Sequence, residues 1–330
     1  MGNILSLVRS DLADFTGYSS AAKENAGFCS SIKLDANESP WPSFGSVSSL
    51  CNPNRYPEPQ PAALRARMAV AWGVKSEQIL LTCGSDQGID ILIRLFCAAG
   101  QDSILVCPPT FSMYAVYARL QGAQALFVPL LEDGQLNLAA ISETATNRTK
   151  LIFIPAPNAP MGHAMDKDRI LDLCAQRDGK SLVIIDEAYA EFSKEPDGFL
   201  PMLDDVSNLV ILRTLSKAHA LAGERIGCVI ASQAVIEALA KVVPPYPLAQ
   251  SAIRAAMDSF SSTGLAQTAR RVETLQSEKG YLAEKLAGVE GVKRIYPSET
   301  NFLFIETNGA KVFMERLPKI QIILLFNTRQ

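Results

Sequence analysis

The amino-acid sequence predicts an α/β fold: a mostly parallel central sheet flanked by helices, with a smaller α+β domain. Short runs rich in Val, Ile and Leu recur without alternating with polar residues, as expected of strands covered on both faces. Helical patterns lie between many of these runs. A proline-rich segment, "PPYPL" at 244–248, then ends the alternation.

Seven apolar runs are predicted to be strands. In chain order they are 78–82, 103–107, 124–129, 150–155, 181–188, 208–213 and 225–231. Two of the helical patterns are especially clear, since 86–100 has an apolar face and stops at Gly100, and 165–179 has one and stops at Gly179. This alternation of strand and helix is typical of a mostly parallel sheet.

The two ends of the chain differ from its middle. Residues 1–45 are rich in Ser, Pro and Gly, and we expect them to wrap around the fold without forming a core. After the proline-rich hinge comes a long helical region, 248–287. We therefore predict a large α/β domain over 46–243, and a smaller domain made of 244–330 together with the N-terminal arm.

Composition excludes several classes of protein. A net charge of -3 over 330 residues gives no reason to expect nucleic acid as a partner. No run reaches the ~18 apolar residues of a membrane span, and the first residues lack the pattern of a signal peptide. The seven cysteines form no C-x-x-C pair, which is typical of a reduced, cytoplasmic protein. The only histidines, His163 and His219, lie far apart without ligand-spaced partners, so no metal site is predicted.

Two stretches near predicted strand ends carry acidic or anion-binding chemistry. In "TCGSDQGI" (82–89) a helix begins directly after a strand, so its free N–H groups favour a phosphate. Taken alone, this stretch favours the simpler interpretation, a helix cap from Ser85 or Asp86, which explains these residues fully. In "VIIDEAYAEF" (183–192), Asp186 ends a very apolar strand, where it is either an ordinary polar terminus or a group that meets a cation.

Two further stretches offer an amine and an aromatic face. Lys217 in "LRTLSKAHALAGERIG" (212–227) follows a strand, and the small residues after it permit close approach of a ligand. Phe111 in "PPTFSMYAVY" (108–117) is either a packing residue or a platform for a flat ring. In open α/β sheets, ligands bind at the carboxyl ends of the strands. Together the four stretches suit pyridoxal 5'-phosphate, which needs an amine, an acid, a phosphate cradle and a stacking face.

With these stretches, the sequence resembles the fold-type I pyridoxal-phosphate aminotransferases, and most closely the histidinol-phosphate branch of that family. The matching stretches occur in the family's order from about residue 30 to 305. They are "KLDANESPWP" (33–42), "NRYPEPQPAALR" (54–65), "GSDQGIDILIR" (84–94), "PPTFSMY" (108–114), "DEAYAEF" (186–192), "LRTLSKAHALAGERIG" (212–227), "PYPLAQ" (245–250) and "YPSETNFLF" (296–304).

The resemblance implies three catalytic roles. Lys217 would form the Schiff base with the cofactor and move the proton of the reaction. Asp186 would keep the pyridine nitrogen protonated, and Tyr189 would hydrogen-bond the phenolic oxygen of the ring. The implied reaction is reversible amino transfer between L-histidinol phosphate and 2-oxoglutarate, a step of histidine biosynthesis.

The resemblance also implies the remaining cofactor contacts. Phe111 would stack on the ring, and Tyr56 would reach the phosphate bound by the neighbouring subunit, which implies a homodimer with shared active sites. The phosphate of the same subunit would be bound by the side chains of Ser216 and Arg225 and by the backbone at Ser85 and Asp86.

The chain departs from the family pattern at several positions: Gln87 stands where glutamate is usual, Glu224 where an apolar residue is usual, and two further departures bear directly on binding. The family's N-P-N-N-P-T-G turn reads "APNAPMG" (156–162), so Ala159 replaces an asparagine that donates to the phenolic oxygen. Loss of that donor is expected to weaken cofactor binding by about 1–3 kcal/mol. At the C-terminus, "KIQIILLFNTRQ" (319–330) has Leu325 where the first substrate-binding arginine is expected and lacks the second, so we expect a shortened, divergent segment.

These departures keep two alternatives open. One is a related enzyme of the same fold, similar to threonine-phosphate decarboxylase, which shares most of the motifs. The other is a catalytically impaired homologue that folds and binds cofactor without turning over a substrate.

Overall fold

The computed structural model describes residues 4–17, 36–41 and 53–308. Its centre is a seven-stranded sheet in the order β1-β7-β6-β5-β4-β2-β3. The strands are β1 (Ile79–Thr82), β2 (Ser103–Val106), β3 (Gln124–Phe127), β4 (Thr149–Pro155), β5 (Leu182–Asp186), β6 (Leu209–Thr214) and β7 (Gly227–Ala231). All seven predicted strands are present, each within a few residues of its predicted bounds.

The sheet is parallel except at β7, which runs antiparallel between β1 and β6. The four pairings among β2, β3, β4, β5 and β6 are parallel. This arrangement confirms the predicted α/β class with a mostly parallel sheet. Because parallel strands end at the same edge, the loops after β2, β4, β5 and β6 emerge together.

Helices cover both faces of the sheet. They are α1 (Ala62–Trp72), α2 (Gly84–Phe96), α3 (Met113–Gln121), α4 (Leu138–Thr144), α5 (Lys167–Gln176), α6 (Gln233–Leu239), α7 (Gln250–Ser259) and α8 (Ser262–Ala287). Two core clusters result: one includes residues of α1, α5 and α7, and the other residues of α2, α3 and α6. Strands β1, β2, β4, β5, β6 and β7 are consequently buried along nearly their whole length.

The sequence was wrong about three details of this core. The run 124–129 is not covered on both faces, since β3 lies at the sheet edge and its Phe127 is 58% exposed. The N-terminal arm contributes to the core, because Ile4 and Leu7 are buried in the cluster with α2 and α6. The helix predicted to end at Gly100 ends at Phe96.

The segment after the proline-rich hinge forms two helices and a hairpin. α7 and α8 fill the predicted helical region, and β8 (Val292–Ile295) pairs antiparallel with β9 (Ile305–Thr307). Ala252, Ile253 and Ala256 of α7 pack into the core cluster that contains α1. The division into a domain over 46–243 and one over 244–330 with the arm stays a prediction.

None of the helices among the residues described above combines the length and the apolarity that crossing a bilayer requires.

Candidate active site

Five chain segments bring residues predicted for the site to the edge where the parallel strands end. Asp186 is the last residue of β5, and Lys217 follows β6 by three residues. Phe111 follows β2, and the loop that contains Ala159 follows β4. The fifth segment is the start of α2, directly after β1. The site predicted from separate stretches of sequence is therefore one region of the fold.

Asp186 is a buried carboxylate held by two donors. The Tyr114 hydroxyl donates to its Oδ2 at 2.8 Å, and the Ala188 N–H donates to its Oδ1 at 3.2 Å. Burial raises the pKa of Asp186 to about 6, although both hydrogen bonds oppose that rise. The carboxylate is thus poised to favour a nearby cation, because ion pairing would offset the desolvation that it already bears.

Phe111 and Tyr114 form an aromatic wall beside Asp186. The ring of Phe111 meets that of Tyr114 edge to face, with centroids 5.5 Å apart, and Tyr114 stacks on Phe153 at 4.8 Å. Phe111 remains 38% exposed, whereas Tyr114 is fully buried. Phe111 is therefore partly accessible to a ligand, and its stacking on a flat ring stays a prediction.

Lys217 carries an accessible amine next to Tyr189. Its Nζ lies 5.5 Å from the centroid of the Tyr189 ring. Within the described part of the chain, that amine makes no hydrogen bond or ion pair. Tyr189 is held in turn by an edge-to-face contact with Phe302, at 5.3 Å between ring centroids. Burial and the charge of Asp186 raise the pKa of Tyr189, so its hydroxyl stays protonated and able to donate.

The start of α2 forms a cradle of backbone N–H groups. The helix begins at Gly84, and the preceding residue, Cys83, provides no side-chain cap. Ser85 and Asp86 therefore lie in the first turn and are not the caps that the simpler interpretation of the sequence predicted. Gly227 of β7 packs directly on this turn, since a Cβ there would lie 2.4 Å from the backbone of Gly84 and Ser85.

Arg225 completes the cradle from the loop after β6. Its Nη1 donates to Ser216 Oγ at 3.4 Å, and its Nη2 donates to Asp86 Oδ2 at 3.2 Å. Arg225 adopts a left-handed conformation (φ 53°), which turns its side chain back across Gly84. The predicted phosphate ligands Ser85, Asp86, Ser216 and Arg225 are thus neighbours in the structure.

Ala159 leaves a gap in the donor set. The adjacent Asn158 is buried and already engaged: its Nδ2 donates to the carbonyl of Pro109, and its Oδ1 accepts from the N–H of Met161. Asn158 therefore serves the loop and cannot replace the asparagine expected at 159.

Two further predictions concern Tyr56 and the C-terminal segment. Tyr56 is 56% exposed and stacks on Tyr246, with ring centroids 4.4 Å apart. Its contact with a neighbouring subunit stays a prediction. The C-terminal segment with Leu325 lies outside the described residues.

Sequence reasoning missed a buried ion pair under the site. The side chains of Arg213 in β6 and Glu187, directly after β5, are almost wholly buried. Arg213 Nη2 lies 2.8 Å from Glu187 Oε2. Glu187 also accepts from the N–H of Phe199, so its charge is well compensated. The signal was opposite charges near the ends of two apolar strands that become sheet neighbours.

A second supporting group is His219, two residues beyond Lys217. Its ring stacks on Phe260 at 4.9 Å, and its Nδ1 is hydrogen-bonded to Ser259 Oγ at 2.8 Å. Burial lowers the pKa of His219 to about 4, and the charge of Arg213 acts in the same direction. His219 thus links the lysine loop to the C-terminal end of α7 as a neutral ring.

The residues present fit pyridoxal phosphate. A buried carboxylate, an accessible amine, a partly exposed aromatic ring and an uncapped helix start with an arginine meet at one sheet edge. Only the asparagine expected at position 159 is missing from the cofactor contacts within the described chain.

Comparisons with known proteins agree with this geometry. A family model described as aminotransferase class I and II matches residues 32–325. Histidinol-phosphate aminotransferase from Xylella fastidiosa is 42% identical over 325 residues, which is 97% of this chain and 88% of that protein.

Solved structures with the same fold have two different activities. One is histidinol-phosphate aminotransferase from Sinorhizobium meliloti in complex with pyridoxal-5'-phosphate, with TM-score 0.70, 23% identity, and 86% of this chain and 78% of that chain covered. Another is L-threonine-O-3-phosphate decarboxylase from Porphyromonas gingivalis, with TM-score 0.69, 24% identity, and coverages of 83% and 81%. The family, fold and cofactor predicted from the sequence are confirmed: the chain belongs to the class I and II aminotransferases, which depend on pyridoxal phosphate.

Proposed function

We propose that this protein transfers the amino group between L-histidinol phosphate and 2-oxoglutarate in histidine biosynthesis. The observation that carries the proposal is the placement of Lys217 beside Tyr189 and Asp186 at the sheet edge. The substrate is suggested by the 42% identity to curated histidinol-phosphate aminotransferases over nearly the whole chain.

The catalytic roles follow from position and charge. Bound pyridoxal phosphate supplies an aldehyde for amines and a ring that stabilises negative charge on the substrate carbon. Lys217 Nζ would hold that aldehyde, and its amine would accept the proton that leaves the Cα of the amino donor. Asp186 stabilises positive charge on the pyridine nitrogen, and the Tyr189 hydroxyl donates to the phenolic oxygen.

The remaining residues hold the cofactor. Arg225, Ser216 and the N–H groups of Ser85 and Asp86 bind the phosphate, because a helix start and a guanidinium both favour an anion. Phe111 covers one face of the ring and excludes water from it. Tyr114, which donates to Asp186, is fully buried, and Asp186 itself is almost wholly buried.

We also propose a cytoplasmic homodimer with shared active sites. Tyr56 would then bind the phosphate held by the neighbouring subunit, for which its exposed ring beside Tyr246 is suited. Its partners would be small-molecule substrates, and we expect neither nucleic acid nor a membrane as a partner. The large domain would span 46–243.

An assay of two products tests the proposed reaction. The protein, loaded with pyridoxal phosphate, is given L-histidinol phosphate and 2-oxoglutarate, and glutamate formation is measured. In a parallel reaction it is given L-threonine phosphate, and CO2 release is measured. We expect glutamate without CO2. Release of CO2 without glutamate would assign the decarboxylase alternative, with which the fold alone is equally compatible. If neither glutamate nor CO2 forms, the result would favour the catalytically impaired homologue.

A further inference from the structure

We infer that Tyr114 is a positioning residue for Asp186. The Tyr114 hydroxyl keeps the Asp186 carboxylate ionised and oriented for the pyridine nitrogen. The inference rests on the proposed function, since it concerns the same cofactor site. It adds a residue that touches neither cofactor nor substrate in the roles described above, and that acts through the acid.

The geometry gives Tyr114 a single polar task. Its hydroxyl donates to Asp186 Oδ2 at 2.8 Å and makes no other hydrogen bond among the described residues. The second oxygen of Asp186 is occupied by the Ala188 N–H at the longer distance of 3.2 Å. With one donor on each oxygen, the carboxylate plane is fixed between α3 and the end of β5.

The packing of Tyr114 prevents its hydroxyl from moving away. Its ring is fully buried, stacked on Phe153 and met edge-on by Phe111. Burial together with the charge of Asp186 raises the pKa of Tyr114 well above its ordinary value, so the hydroxyl remains a donor throughout the working pH range. Tyr114 therefore couples the aromatic wall to the acid.

The surroundings of Asp186 explain why it needs this donor. Burial raises its pKa, and the charges of Asp86 in α2 and Glu187 after β5 raise it further, whereas the hydrogen bonds from Tyr114 and Ala188 lower it. Tyr189, whose hydroxyl stays neutral, adds no charge. Without the Tyr114 hydroxyl, a larger share of Asp186 would be protonated near neutral pH and unable to stabilise a positive charge.

The test titrates Asp186 directly in the cofactor-free protein. Its carboxyl 13C resonance, assigned with Asp186→Asn, is followed against pH in wild type and in Tyr114→Phe, which keeps the ring and removes only the hydroxyl. We expect the midpoint to rise by on the order of one pH unit, because a hydrogen bond to the charged form is lost. An unchanged midpoint overturns the inference.

A packing control separates the hydroxyl from the ring. Phe153→Leu removes the stacking partner of Tyr114 but retains the hydroxyl, so it should lower the melting temperature and shift the Asp186 midpoint less than Tyr114→Phe does. Equal midpoint shifts in both variants would overturn the inference. A second readout is the dissociation constant of pyridoxal phosphate. Tyr114→Phe should bind the cofactor more weakly than wild type, and the ratio of the two dissociation constants should fall as pH rises above the Asp186 midpoint of the variant. A ratio that does not vary with pH also overturns the inference.

The outcome is independent of the assay of the proposed function. If wild type forms glutamate from histidinol phosphate but the Asp186 midpoint does not move in Tyr114→Phe, only the inference fails. If wild type forms no glutamate but the midpoint moves as expected, the inference is supported and the proposed reaction fails.

Discussion

Ala159 is the residue at which the cofactor site is least complete. The other cofactor contacts predicted within one subunit have a side chain or N–H group that could make them, whereas the methyl group of Ala159 cannot donate a hydrogen bond. The neighbouring amide of Asn158 is committed to Pro109 and Met161. At the residue scale, a substitution that adds a donor at position 159 should therefore raise cofactor affinity more than any other single substitution in the site.

Restoring the donor should tighten cofactor binding. We expect Ala159→Asn to lower the dissociation constant of pyridoxal phosphate by about tenfold, since a hydrogen bond to a charged oxygen contributes about 1.5–3 kcal/mol. Fluorescence titration of the cofactor-free protein measures this constant. Ala164→Asn, at an exposed alanine of the same loop, is the matched control and should change nothing. Equal affinities for Ala159→Asn and wild type would show that position 159 does not face the phenolic oxygen.

The sequence identified the residues that react but not those that support them. Lys217 and Asp186 stand out because charged groups at the ends of apolar strands need an explanation. Tyr114 lies three residues after Phe111 within the same motif, yet nothing in the sequence shows which buried acid its hydroxyl reaches. Such a partner depends on the packing of α3 against β5, which only the three-dimensional structure supplies.

At the scale of elements, the cofactor cradle depends on the contact between β7 and the start of α2. Gly227 is the first residue of β7 and pairs with Thr82 and Thr214 on its two neighbouring strands. The backbone of Gly84 and Ser85 occupies the space that a Cβ of residue 227 would need. The antiparallel strand β7 therefore determines how closely the first turn of α2 packs on the sheet.

One added methyl group should displace the cradle. We expect Gly227→Ala to lower the free energy of unfolding by about 1–3 kcal/mol, because the overpacked atoms are backbone and cannot rotate away. Cofactor affinity should fall with it. Gly223→Ala is the matched control, since nothing lies within 4 Å of a Cβ built there. Urea unfolding and cofactor titration of both variants measure the effects, and comparable losses at 223 and 227 would refute this account.

At the scale of the whole molecule, the sequence predicted the strands in order but not their arrangement. Unbroken apolar runs identified the strands, since burial on both faces leaves this pattern. The sheet order, the reversal of β7 and the exposure of the edge strand β3 depend on long-range pairing, which no local pattern encodes. The packing of α7 into the core of the α/β domain escaped prediction for the same reason.

The pH dependence of stability should reveal the neutral His219 that joins the lysine loop to α7. Its pKa in the folded protein is about 4, below the ordinary value of 6.5. Between these values the unfolded chain binds a proton that the folded one does not, so this histidine lowers stability as pH falls from 6.5 to about 4.

Replacing the histidine should remove that loss. We expect His219→Phe, which keeps the stack on Phe260, to gain stability relative to wild type by on the order of 3 kcal/mol between pH 6.5 and pH 4. Urea unfolding of the cofactor-free proteins at several pH values measures this difference. A difference that stays constant over the window would mean that His219 titrates normally in the folded state.

The most direct test of the central claim is the visible absorbance of the protein with pyridoxal phosphate, before and after L-glutamate. Wild type should show the absorbance of a cofactor bound covalently to Lys217, and glutamate should convert it as the amino group is transferred. Lys217→Ala should show neither the covalent species nor the conversion, although it binds the phosphate through Arg225. A wild-type spectrum that glutamate leaves unchanged, or a Lys217→Ala spectrum that matches wild type, would contradict the account.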